Sequence, residues 1–131
     1  KMQQLLDKDQ MGPVVLESAG FFGPGRPAND LATSTAKARG LDLTRHTSRI
    51  INREMVQTGL LILVMTTRQA KRIRPFNTDG AARVEILGDF DPEPIFSRDI
   101  TDPYGRPQEE FERVFDRIDR CLVTLISSWE R

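Results

Sequence analysis

Phe111, Val114, Phe115, Ile118, Leu122, Leu125 and Trp129 recur at helical spacing, with Glu109, Glu112, Arg113 and Asp116 set between them. This stripe predicts a long amphipathic helix that packs its apolar side on a sheet and turns its charges to water. "LLILVM", residues 60–65, has a different pattern. A continuous apolar run of that length is expected of a strand buried on both faces, as in a parallel sheet. "ARVEIL", residues 82–87, alternates and places Val84 and Ile86 on one face of another strand.

The remaining segments fill in the order of elements. "KMQQLLDKD" reads as a helix and "GPVVLESAG" as a strand bounded by glycines. A Gly- and Pro-rich loop, "GFFGPGRPAND", leads to a helix over residues 31–39, with Asn29 or Asp30 as its cap and Gly40 ending it in a left-handed conformation. "LDLTRHTSRII" reads as irregular, "INREMVQTG" as a short helix and "TTRQAKRI" as a helix with Thr at its start. Between the last strand and the terminal helix lies a long loop, "GDFDPEPIFSRDITDPYGRP", and loops of that length usually carry function. Strands alternating with helices predict a doubly wound α/β domain whose ligands sit at the carboxyl ends of the strands.

Length and composition narrow the function. The 131 residues, 38% hydrophobic, suit one domain with one core. Nineteen Lys and Arg balance 19 Asp and Glu, so no global field draws the chain to nucleic acid or to an acidic membrane. The basic cluster "RQAKRIRPF" therefore reads as a solvated face, and no nucleic-acid partner is expected. The run "GLLILVM" is too short to cross a bilayer and the polar N-terminal stretch lacks signal-peptide features, which predicts a cytoplasmic protein with no membrane partner. Cys121 has no partner for an intramolecular disulfide, and neither it nor the single histidine, His46, belongs to a cluster with metal-ligand spacing. No metal or cofactor is expected. "GDFDPEP" begins like a calcium loop, but Pro94 stands where the glycine is needed and Ile100 where the bidentate glutamate is needed.

"DPYG", residues 102–105, reads as a type I turn with Pro second and Gly fourth. An acid just outside a sheet's carboxyl edge and beside an aromatic ring is also placed to protonate a leaving oxygen. Taken in order, "ESAG", "GRP", "RGLDLTRHTSR", "LLILVM", "VEILGDFDP" and "DPYG" before an amphipathic helix give a chain that resembles the low-molecular-weight protein tyrosine phosphatase family. The resemblance runs from about residue 2 to residue 129. It implies hydrolysis of a phosphate monoester, on a phosphorylated protein or a small molecule, through a phosphocysteine intermediate and without a cofactor. Asp102 matches the family's general acid and Tyr104 an aromatic residue of the pocket wall; Ser18 and His46 match residues that brace the phosphate loop. Arg49 matches the arginine three places after that histidine, with no role attached.

The match has departures. The family's Cys-x-x-x-x-x-Arg loop is absent from this sequence, and Cys121, followed six places later by Ser127, lies mid-helix and reads as a small buried hydrophobe. The expectation is a four-stranded parallel sheet whose first strand, together with the nucleophile and the phosphate-binding arginine, lies upstream of Lys1. Another chain in an oligomer, or a rearranged strand, is the other way to complete the sheet. On that expectation the 131 residues alone are inactive. Met65-Thr66 replaces the family's Met-Asp, one tyrosine rather than two follows Pro103, and Arg106 adds a cation near the mouth. Two rival functions are a catalytically dead phosphatase fold that binds or regulates, and an arginine phosphatase on the same fold. Arsenate reduction needs more than one cysteine and does not fit.

Overall fold

The computed structural model describes residues 19, 30–40, 51–59, 61–77, 80 and 82–129. Its elements run α1 (Asp30–Ala38), α2 (Arg53–Thr58), β1 (Leu61–Val64), α3 (Thr67–Ile73), β2 (Arg83–Ile86) and α4 (Gln108–Trp129), with 3-10 turns at Arg74–Phe76 and Leu87–Phe90. The helix and strand expected in the first twenty residues, and the irregular stretch 41–50, lie outside the described residues.

Local chemistry accounts for most helix boundaries. Asp30 falls inside the first turn of α1 rather than at its cap, where its charge suits the helix dipole. Gly40, at φ +79°, ends the same helix in the left-handed conformation the sequence called for. Asn52 caps α2, its Oδ1 accepting the Met55 N–H at 2.9 Å. Pro75 sits in the first 3-10 turn, where its missing N–H costs nothing. Asn77 then bridges to the start of β2, its Nδ2 donating to the Ala82 carbonyl at 2.9 Å and its Oδ1 accepting the Ala82 N–H at 3.2 Å.

β1 and β2 pair in parallel, Leu61 opposite Arg83 through Val64 opposite Ile86. Among the described residues these two strands make up the sheet, and the strand expected in "VVLES" lies outside them. The apolar run of β1 serves both faces. Ile62 and Val64 join Val84 and Ile86 in a cluster with Val56 of α2 and Ile73 of α3. Leu61, Leu63 and Met65 pack on the other side against Leu87, Ile100 and the α4 residues Cys121, Leu122 and Leu125. β2 ends one residue earlier than its pattern suggests, because Leu87 turns into the 3-10 segment and buries itself under α4.

α4 obeys its periodicity. Phe111, Leu122 and Leu125 are buried, Val114, Phe115 and Ile118 half-buried, and Glu109, Glu112, Arg113 and Asp116 exposed. Ile126 is buried as well. Each such side chain contributes about 1.5–3 kcal/mol when fully buried, so α4 is the main brace of this side of the sheet. α1 is clasped to it by Arg39. That guanidinium pairs with Asp116 at 2.6 Å, donates to the Glu112 carbonyl at 3.1 Å and lies 5.7 Å over the Phe115 ring.

Candidate active site

The loop from β2 to α4 begins with a tight approach. Gly88 is buried, and a Cβ placed on it would overlap the Arg98 carbonyl oxygen, so the chain can fold back here only at a glycine. Arg98 in turn grips Asp89 with two donors, Nε at 2.8 Å from Oδ1 and Nη2 on Oδ2. Two residues on, the Asp91 side chain is fully withdrawn from solvent between two arginines of α4. Arg120 reaches it with Nε at 2.8 Å and Nη2 at 3.1 Å, and Arg117 with Nε at 3.1 Å. The Arg120 hydrogen bonds hold the Asp91 carboxyl below its ordinary value, outweighing the opposite pull of burial, with the Glu93 N–H and Arg117 adding to the effect.

Further along, the loop is tied to the carboxyl end of β1. The Ile100 N–H donates to the Met65 carbonyl at 2.7 Å, and the Ile100 side chain is buried. Asp99 Oδ1 accepts the Thr67 N–H at 2.8 Å, satisfying one of the free donors at the start of α3. Thr66 is the α3 cap, with its Oγ1 accepting the Gln69 N–H at 3.1 Å. Gln69 reaches back to accept the Met65 N–H at 2.8 Å. From the opposite side Arg117 donates to the Asp99 carbonyl at 3.0 Å and to the Ser97 carbonyl at 2.6 Å.

Beyond this anchor the tip is open to solvent. Asp102 is exposed, and its Oδ1 accepts the Tyr104 N–H at 3.0 Å, leaving Oδ2 with no hydrogen-bond partner among the described residues. Tyr104 is 74% exposed, which leaves its ring face available. The expected type I turn over Asp102 to Gly105 is one residue out of register. The backbone turn bond runs from the Arg106 N–H to the Pro103 carbonyl at 2.8 Å, with Gly105 third at φ +80°, the position that calls for glycine in a type II turn. Because the aspartate side chain already accepts a backbone N–H two residues on, the main-chain turn starts at Pro103.

The other residues singled out from sequence divide into two groups. Ser18, His46 and Arg49 lie outside the described residues. Cys121 is fully buried in α4, and burial raises its thiol, so it stays protonated and packs as a core residue rather than acting as a thiolate. Arg68, Lys71, Arg72 and Arg74 are exposed. Among the described residues no His, Cys, Asp and Glu cluster could hold a metal, and no helix is long and apolar enough to cross a membrane. Sequence reasoning missed Asp91, Asp99 and Arg117. A signal was present: Arg117 and Arg120 border the apolar stripe of α4, and cations so close to a core require a buried acceptor.

Comparison with known proteins adds the family. The family model described as Low molecular weight phosphotyrosine protein phosphatase matches residues 1–131. The low molecular weight protein-tyrosine-phosphatase Etp of Escherichia coli is 28% identical over 120 residues, covering 91% of this chain and 78% of that protein. The crystal structure of Primo-1 superposes with a TM-score of 0.88 at 27% identity, covering 99% of this chain and 86% of that one. The Drosophila arginine phosphatase shares the fold, with a TM-score of 0.88 at 17% identity over 99% of this chain and 86% of its own. The α/β topology, the loop docked at the carboxyl end of β1 and the match along the whole sequence agree: this chain belongs to the low molecular weight phosphotyrosine protein phosphatase family.

Proposed function

We propose that the protein is a protein tyrosine phosphatase in which Asp102 is the general acid. The observation that carries this reading is the contrast within one loop. Asp99 and Ile100 are pinned to Thr67 and Met65 just past the end of β1, while Asp102 beyond them is exposed, with one carboxyl oxygen fixed by the Tyr104 N–H and the other without a hydrogen-bond partner among the described residues. An acid held this way can deliver a proton along a set direction without being neutralised by a partner.

In the proposed reaction a cysteine thiolate attacks phosphorus, the bond from phosphorus to the phenolic oxygen breaks, and the proton on Asp102 passes to that oxygen. Water then attacks the phosphocysteine, giving its proton to the Asp102 carboxylate, and inorganic phosphate leaves with the thiolate restored. Tyr104 lines the entrance and stacks on the substrate ring, and Ser18 and His46 support the phosphate-binding loop. Cys121 is not the nucleophile, since it is buried in α4 as a protonated thiol. The substrate is a phosphorylated protein or a small aryl phosphate.

The test is turnover of matched phosphotyrosine and phosphoarginine peptides by the complete gene product. Faster hydrolysis of phosphotyrosine, slowed on the order of 100-fold by Asp102→Ala, is expected. Faster hydrolysis of phosphoarginine would make the protein an arginine phosphatase, and binding of either peptide without hydrolysis would make it a binding module.

A further inference from the structure

The Asp102 loop is held from two sides, and only one hold belongs to the sheet. On the sheet side, Asp99 and Ile100 dock on Thr67 and Met65. On the helix side, the Ile100 side chain packs against Cys121, Leu122 and Leu125 of α4, and the hydrogen bonds from α4 to the backbone leading into Asp102 come, among the described residues, from Arg117. Its Nη1 and Nη2 donate to the carbonyls of Asp99 and Ser97, and its Nε is fixed on buried Asp91. The side chain is mostly withdrawn from water, at 18% exposure, and its three-point geometry uses the planar fork that lysine lacks.

We propose that Arg117 is a positioning residue for the reaction: anchored on Asp91, it fixes the Ser97 and Asp99 carbonyls and so sets where the Asp102 carboxyl meets the leaving oxygen. The inference rests on the general-acid reading of Asp102. Asp91 and Arg120 complete the anchor, since the two oxygens of Asp91 are shared between the two arginines and fix the direction from which Arg117 reaches the loop. Gly88 keeps the space open, as a Cβ there would crowd Arg117 as well as the Arg98 carbonyl. Arg117 touches no reacting atom. Its effect is confined to the step that needs the proton, because the β1 contacts hold the rest of the loop without it.

A merely structural residue would lower all activities together, so the test separates steps by leaving group. The complete gene product is assayed with phenyl phosphate, whose leaving oxygen needs a proton, and with 2,4-dinitrophenyl phosphate, whose leaving oxygen does not. Arg117→Lys keeps a cation opposite Asp91 but cannot bridge both carbonyls, and should fold even if Arg117→Gln does not. For Arg117→Lys, kcat/KM on phenyl phosphate should fall about 10-fold, a small displacement of a catalytic group being enough for such a loss, while the dinitrophenyl ester changes less than about 2-fold. Introduced into Asp102→Ala, the same substitution should add no selective loss, because the group it positions is gone. Equal losses on both esters, no loss on either, or a selective loss that persists in Asp102→Ala would overturn the inference. If Asp102→Ala itself shows no preference between the esters, the general-acid reading has failed and the inference falls with it. If Asp102→Ala is selective and Arg117→Lys is not, only the positioning role is lost.

Discussion

Asp91 and Asp102 lie on the same loop and are treated in opposite ways. Asp91 has no exposed side-chain surface, accepts from two arginines and is held in its charged form. Asp102 is exposed and accepts from one backbone N–H of its own turn. A carboxylate buried between two guanidiniums is a fixed structural charge, useful for holding a loop and useless for moving a proton, because releasing it from its partners is too costly. A carboxyl left half-free at a tip can exchange its proton, but only a rigid base keeps it aimed. On the proposed reading, a single loop separates anchoring, at Asp91, from chemistry, at Asp102.

Substitution at the anchor is the strongest way to break this contrast. Asp91→Ala strands Arg117 and Arg120 without their shared acceptor and should cost about 3 kcal/mol in urea unfolding, whereas Asp102→Ala should change stability by less than about 0.5 kcal/mol. Comparable effects at the two positions would remove the distinction between them. Gly88→Ala comes next, with an expected loss of about 2 kcal/mol, because the new methyl must displace the Arg98 carbonyl, which is backbone. A neutral result there would show that the loop start has slack.

Acid unfolding gives the smallest effect and sharpens the same comparison. The folded-state Asp91 carboxyl lies below its ordinary value of 3.8, so the stability it provides is complete above about that pH and is lost as pH falls through the folded value. Wild type should therefore lose more stability than Asp91→Asn on titration below pH ~4. Parallel curves for wild type and Asp91→Asn would mean that the arginines do not hold the charge.

Much of the scaffold was legible in the sequence, because α4, β1 and β2 each bury what their periodicity says they bury. Leu61 and Leu63 on one face, with Ile62 and Val64 on the other, are what a continuous apolar run requires of a strand covered on both sides. Asp102 and Tyr104 were singled out by the DPYG pattern and given their expected roles by the family resemblance, and the turn carrying them starts one residue later than expected. No periodicity says whether an aspartate side chain or its carbonyl will close a turn. The anchor was legible only from its arginines, which border the apolar stripe of α4, and not from its acceptor. Asp91 was read only as part of a failed calcium loop, because its partners Arg117 and Arg120 are distant in sequence and only the packed helix brings them to it.

The account turns on whether Asp102 gives up a proton to the leaving group. The most direct measurement is kcat/KM for a series of aryl phosphates, plotted against leaving-group pKa, for the complete gene product and its Asp102→Ala variant. The predicted result is a nearly flat line for wild type and a steep fall for the variant, with the two converging at the best leaving groups. Two parallel lines would contradict the account, since they would mean that Asp102 assists every substrate alike and donates no proton in the transition state.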